Sequence, residues 1–94
     1  MCWDGAGQEG TGGGSAIAAQ TLGVPATGME GAVAARSLSS RKSERVAAEA
    51  VYGKPTARKA NIPLGDLEKA LLAGKIVSYA QGFAVMAKAS EDYG

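Results

Sequence analysis

The residues whose type and spacing most resemble a ligand-binding motif are glycines in the first fifteen positions of the chain. Residues 5–10, GAGQEG, have the spacing of the G-x-G-x-x-G motif, whose backbone N–H groups hold the phosphates of a dinucleotide. That motif must follow a strand and open a helix, and the four residues before Gly5 are too few for a buried strand. Residues 12–15, GGGS, lack the Gly-Lys-Ser/Thr ending of a phosphate loop. The stretch 5–14 is therefore predicted to be a flexible glycine-rich loop.

Arg36 is a further candidate, because a planar guanidinium matches the oxygens of a phosphate group. On sequence alone, an arginine on a helix is more often a solvated side chain whose aliphatic part lies along the surface. The chain contains no histidine, which excludes histidine-based catalysis by these residues and makes a zinc site unfavourable. We therefore predict no catalytic, cofactor-binding or metal-ligating residue.

Composition narrows the classes of partner. Ten basic residues oppose nine acidic ones, so there is no electrostatic basis for binding nucleic acid or a membrane surface. No apolar run reaches about 18 residues, and the first residues do not have the pattern of a signal peptide. Cys2 is the single cysteine, so it cannot form an internal disulfide, and Cys2 and Trp3 receive no role. These features favour a cytoplasmic protein.

The elements that must position these residues are predicted to be helices, because the sequence has helical periodicity and no strand pattern. Three short helices lead into one long helix, which gives an all-α fold. Serines are the expected N-caps and glycines the expected ends of the short helices. The first helix is predicted at residues 16–22, with Ser15 as its N-cap and Gly23 at its end. The second runs from Pro25 to about Leu38. The third has Ser39 or Ser40 as its N-cap and ends at Gly53. Residues 53–63, with two prolines, are predicted to form a surface loop.

The long helix is predicted at about residues 64–89, and it carries a stripe of large apolar side chains. These recur at steps of four and three, which is the pattern of a helix face that is buried. The stripe consists of Leu72, Ile76, Tyr79, Phe83 and Met86. Tyr79 is predicted to be a core aromatic residue with its hydroxyl at the rim, and Lys75 a solvated flank.

Several short strings in this chain resemble 6-phosphogluconate dehydrogenase, in that family's order and at close to its spacing. The strings are Gly10-Thr-Gly12, Gly23-Val-Pro25, Ala35-Arg36, Leu38-Ser-Ser40, Glu44-Arg45 and Lys75-Ile-Val-Ser-Tyr-Ala-Gln-Gly-Phe83. The resemblance covers nearly the whole chain, residues 1–94, and corresponds to the first part of the family's C-terminal helical domain. The family's dinucleotide-binding domain and its active-site Lys, His, Asn and Glu have no counterpart here.

The resemblance implies an NADP-dependent enzyme of the pentose phosphate pathway. The family decarboxylates 6-phosphogluconate oxidatively to ribulose 5-phosphate, and its helical domain forms the dimer contact and part of the substrate pocket. Arg36 corresponds to the family's phosphate-binding arginine. The family's phosphate-binding lysine, in the motif Lys-Gly-Thr-Gly-Lys-Trp, falls at Gly13, while Glu9 and Gly14 replace the first lysine and the tryptophan. A lost cation and an added anion are unfavourable for holding a phosphate dianion.

Two functions remain open at this point. The chain is either a fragment of a phosphogluconate dehydrogenase that is inactive alone and binds no NADP, or a non-catalytic helical module for dimerisation or another protein contact. The changes at Glu9 and Gly13 favour lost or reassigned chemistry, whereas the intact string from Lys75 to Phe83 favours recent common origin.

Overall fold

The computed structural model describes residues 3–7 and 9–94, so Met1, Cys2 and Gln8, including the prediction for Cys2, lie outside the described residues. The described residues form four helices: α1 (Thr11–Leu22), α2 (Thr27–Ser40), α3 (Lys42–Tyr52) and α4 (Leu64–Tyr93). The described residues contain no strand. The predicted all-α fold, with three short helices before a long one, is confirmed.

The connection between α1 and α2 is the most tightly determined part of the fold. Gly23 has a positive φ of 70° and ends α1, as predicted, because only glycine adopts this left-handed conformation without strain. The Gly23 N–H donates to the Gln20 carbonyl at 3.3 Å, and the Val24 N–H donates to the Ala19 carbonyl at 2.9 Å. This pair of bonds is a Schellman motif. Ala19 and Ala26, on either side of it, are fully buried.

A single side chain from α4 caps the start of α2. The Gln81 Oε1 atom accepts the N–H of Gly28 at 2.9 Å, and the Gln81 amide donates to Thr27 Oγ1 at 3.1 Å. The residue before α2, Ala26, has no side chain that could do this. A Cβ atom at Gly28 would lie 3.0 Å from Gln81 Oε1, so a larger residue at position 28 would make the Gln81 side chain shift. α1, α2 and α4 therefore contact one another pairwise.

The predicted serine caps are wrong. α1 begins at Thr11, so residues 11–14 are helical and the glycine-rich loop ends at Gly10 instead of Gly14. The Ser15 hydroxyl donates back to the Thr11 carbonyl at 3.1 Å, and the Ser40 hydroxyl to the Ser37 carbonyl at 2.8 Å. Because α2 runs through Ser40, the third helix begins after Arg41, not after a serine cap.

One of the helical glycines of α1, Gly12, lies against α2. A Cβ at Gly12 would lie 3.2 Å from the Val33 Cγ2 atom, so glycine lets the Val33 side chain lie close to the α1 backbone. Glycine lowers helix propensity by about 1 kcal/mol per residue relative to alanine, and this close packing favours it at position 12 despite that cost.

α4 is exposed along most of its length, and it extends four residues beyond the predicted end at Ala89. The apolar stripe predicted to be buried is between 58% and 63% exposed at every member. Tyr79 is therefore not a core aromatic residue of this chain; its ring centroid lies 6.4 Å from that of Phe83 on the same open face. Lys75 is exposed, as predicted. The periodicity identifies the apolar face correctly, but within residues 3–7 and 9–94 no other element covers this face.

The accessible surface area of the chain is larger than that of a compact monomer of the same mass. Its accessible area is 7708 Å², whereas a compact monomer of this mass, 9.4 kDa, exposes about 5,000 Å². Its radius of gyration is 17.2 Å, against about 12 Å for a compact domain of this length.

By length and composition, α4 also meets the criterion for a helix that could cross a membrane, which the sequence analysis did not anticipate. The core helix of a soluble protein meets the same criterion, so this finding is weak support for a membrane.

Candidate functional site

Arg36 points from α2 to the glycine-rich segment that precedes α1. Its Nε and Nη2 atoms both donate to the Gly7 carbonyl, at 3.1 and 2.6 Å. A Cβ at Gly12 would lie 3.9 Å from the third guanidinium nitrogen, Nη1. The fold therefore places Arg36 beside the first turn of α1, and the side chain is half-buried there.

Gly13, the second candidate, lies in that same first turn and has no side chain to contribute. The first backbone bond of α1 runs from the Gly14 N–H to the Gly10 carbonyl, and the N-cap residue, Gly10, has no side chain to cap the helix start. The helix dipole makes such an end electropositive. Glu9, which is exposed, lies one residue before Gly10 and opposes this field. The structure brings Arg36 and the turn that contains Gly13 together.

Residues 3–7 are here called the strap. They include the first part of the glycine-rich segment and contact the junction of α2 and α3. The Lys42 ammonium lies 5.3 Å from the centroid of the Trp3 ring, which is a cation–π distance. The Ala6 N–H donates to the Ser39 hydroxyl at 3.0 Å. A Cβ at Gly5 would lie 3.1 Å from the Trp3 indole nitrogen, so Gly5 leaves space for that ring. Trp3 thus has a structural role that the sequence analysis did not assign.

Asp4 anchors the strap electrostatically. The Arg45 guanidinium donates to both Asp4 carboxylate oxygens, at 3.2 and 3.3 Å, and the Lys42 ammonium lies 4.0 Å away. The hydrogen bond from Arg45, then its charge, lowers the pKa of Asp4 below its usual value. Arg45 also donates to the carbonyl of Ser39 at 3.0 Å, which ties the strap to the end of α2. No spacing rule in the sequence could have paired residues 41 positions apart.

A second candidate surface lies on α4 and is apolar. Ser78, Tyr79, Gly82, Phe83 and Met86 line an open groove along this helix. Neither Arg36 nor the strap contributes to it, so the polar and apolar surfaces are separate. Within residues 3–7 and 9–94, no group of three or more His, Cys, Asp or Glu side chains could hold a metal ion.

Comparisons with known proteins identify a family. The family model described as 6-phosphogluconate dehydrogenase, C-terminal domain, matches residues 1–94. Among curated proteins, the chain is 45% identical over 94 residues to the decarboxylating 6-phosphogluconate dehydrogenase of Haemophilus influenzae, and covers 19% of that protein. It is 46% identical over 99 residues to the sheep (Ovis aries) enzyme of the same name, covering 20% of it, and 48% identical over 93 residues to that of Drosophila melanogaster, covering 19%. These matches include 97%, 97% and 95% of the present chain. No solved structure matches it.

Proposed function

Because this chain belongs to the 6-phosphogluconate dehydrogenase family through its C-terminal domain, we propose that it forms part of the helical domain of such an enzyme. The chain spans about a fifth of the length of the relatives it matches. The proposed reaction of the whole enzyme is NADP-dependent oxidative decarboxylation of 6-phosphogluconate to ribulose 5-phosphate, in the cytoplasm. The match over residues 1–94 carries this proposal.

The role proposed for the chain within that reaction is to help hold the substrate phosphate. Arg36 is the residue that would do so, and its position beside the first turn of α1 supports this role. A charge-assisted contact contributes about 1.5–3 kcal/mol, which is small beside the cost of ordering a ligand. With glycine at position 13 and Glu9 nearby, we expect binding of 6-phosphogluconate no tighter than millimolar.

The purified chain is not expected to form NADPH from 6-phosphogluconate and NADP. Hydride transfer needs a bound nicotinamide, a base for the substrate hydroxyl and an acid for the enediol. These 94 residues contain no histidine, and the lysine–acid pairs Lys42–Asp4 and Lys88–Asp92 are open to solvent. The measurement is NADPH absorbance, and turnover above a protein-free blank would contradict the expectation.

Calorimetric titration with 6-phosphogluconate tests the phosphate site itself. The wild-type chain is compared with Arg36→Ala and with the double variant Glu9→Lys/Gly13→Lys, which restores the family's cations. We expect tighter binding by the double variant only in a longer protein that also carries the cofactor domain. Micromolar binding by the wild-type chain that survives Arg36→Ala would place the phosphate elsewhere.

An alternative function, a helical dimerisation module, is favoured by the exposed apolar face of α4. The excess surface of the chain, about 2,700 Å² over a compact monomer, exceeds the roughly 800 Å² that each partner buries in a standard interface. A second copy of the chain is the partner proposed here, because the family resemblance implies a homodimer. No role in nucleic-acid or membrane binding is proposed, since the net charge is +1.

A further inference from the structure

We propose that the strap, residues 3–7, competes internally with an anion for the Nε/Nη2 edge of Arg36, so that an anion binds this edge only when the strap is released. The inference rests on the proposed phosphate role of Arg36 and adds a regulation to that site. Its basis is the pair of hydrogen bonds from Arg36 to the Gly7 carbonyl, at 3.1 and 2.6 Å.

The Gly7 carbonyl occupies one of the two edges of the guanidinium that can bind a phosphate group through a pair of N–H groups, the edge formed by Nε and Nη2. Nε and Nη2 form one fork of parallel N–H groups, which binds two oxygens of a phosphate or carboxylate. In this structure, both donors meet one neutral carbonyl oxygen. A phosphate would supply a separate charged oxygen to each donor, which is the stronger arrangement. Gly7 and an anion cannot occupy this edge together.

The remaining contacts of the strap hold Gly7 in its place. Asp4 pairs with Arg45 and Lys42, the Trp3 ring lies beside the Lys42 ammonium, and the Ala6 N–H bonds to Ser39. Each contact is exposed or half-exposed, so each is individually weak. The strap is therefore a closed state that opens at modest cost. The apparent affinity for an anion is reduced by the fraction of molecules in which it is closed.

The test measures inorganic phosphate binding to the 94-residue chain by NMR, using two probes. The Arg36 Nε–H resonance reports the occupied edge, and the indole N–H of Trp3, the single tryptophan, reports strap release. Ser39→Ala removes one anchor without changing the charge. Ser90→Ala, an exposed serine on α4 away from the strap, is its matched control. Asp4→Asn removes the ionic anchor as a second, independent variant.

The proposal predicts that phosphate shifts both resonances together in the wild-type chain. Ser39→Ala should tighten phosphate binding about two- to tenfold, the equivalent of one neutral hydrogen bond, and Ser90→Ala should leave it unchanged. Asp4→Asn should tighten it at least about twofold, through the lost ion pair and the lost negative charge.

Two results would overturn the proposal. Only the second would also contradict the proposed phosphate role of Arg36. If phosphate shifts Arg36 Nε–H but Ser39→Ala leaves the affinity unchanged, the strap does not compete, while the phosphate role of Arg36 stands. An effect of Asp4→Asn alone would belong to this case, because charge by itself explains it. If Arg36 Nε–H does not respond to phosphate in any variant, both the competition and the phosphate role are wrong.

Discussion

The junction of α1, α2 and α4 and the outer face of α4 differ in the size and burial of their residues. At the junction, Ala19 and Ala26 are fully buried, Gly23 ends α1, and Gln81 supplies the cap that α2 lacks. The outer face of α4 presents large apolar side chains, and none of its stripe is less than 58% exposed. Small residues and directed hydrogen bonds determine the geometry of the first region, whereas the second holds most of the area available for burial.

This difference means that one region determines how the helices are arranged, while the other holds the apolar surface whose burial would stabilise the fold. Two alanines bury little apolar area, and burial contributes about 25 cal/mol per Å². The junction therefore fixes how three helices meet but supplies little of the free energy that keeps them folded. That free energy is available only when another surface covers α4. We expect the isolated chain to self-associate, or to be molten with helical circular dichroism and a broad thermal transition.

The largest effect is expected from placing a charge on the exposed face of α4. Phe83→Asp should weaken self-association at least about 30-fold, because an aromatic residue at the centre of an apolar interface commonly contributes 2 kcal/mol or more. Sedimentation equilibrium measures the dissociation constant. Val51→Asp on α3 is the matched control, since Val51 is 76% exposed and lies outside the stripe.

Two outcomes would contradict this view of α4. One is a clean monomer of the wild-type chain with a sharp cooperative melt, which would mean that the junction alone stabilises the fold. The other is flotation of the wild-type chain with neutral lipid vesicles, lost in Phe83→Asp. That result would make lipid, and not a second copy, the cover of this face.

An intermediate effect is expected at the junction itself. Gln81→Leu removes the acceptor for Gly28 and the donor to Thr27, and loss of a helix cap costs about 1 kcal/mol. Hydrogen exchange of the Gly28 amide should therefore accelerate about fivefold. Gln20→Leu is the control, because the Gln20 side chain bonds to Glu30 and not to the start of α2 at Gly28, so Gly28 should stay protected. Equal acceleration in both variants would show that Gln81 is not a cap.

The smallest effect concerns the pH dependence of the strap. Arg45 lowers the pKa of Asp4 below 3.8, so the contribution of this ion pair is present above that pH and is lost as pH falls through the folded-state pKa. The groups that face Asp4 are the two basic side chains Lys42 and Arg45. The Trp3 indole signal should change with a midpoint below 3.8, and Asp4→Asn should abolish the change. A midpoint at or above 3.8 would exclude the pair as an anchor.

Sequence reasoning predicted the parts of the fold that depend on local rules. The helical class, the end of α1 at Gly23 and the apolar face of α4 follow from periodicity and from the conformational freedom of glycine. The helical state of residues 12–14 was not predicted, and the contact of Gly12 with Val33 belongs to the packing of α1 on α2, which local sequence rules do not describe. The serine caps failed for a similar reason, since hydroxyls bond equally well to the preceding turn.

The candidate site was predicted only in part. Resemblance to a family indicated Arg36 and the missing lysine at Gly13, but it gave no information on what holds the guanidinium in this chain. The Gly7 carbonyl, Asp4 and Trp3 come from a segment 29 to 41 residues away from their partners in α2 and α3. Such pairings arise from tertiary structure, and neither periodicity nor residue spacing records them.

The bond from Gly28 to Gln81 joins residues 53 positions apart, and this separation has a consequence for the order of folding. The contact between Gln20 and Glu30 closes a segment of ten positions, whereas docking of α4 must first close one about five times longer. The longer closure costs about 1.5 kcal/mol more in chain entropy. We therefore expect the α1–α2 hairpin to form early and α4 to dock last. Until that step, the start of α2 has no side-chain cap, so α2 should fray from its first turn while the chain folds.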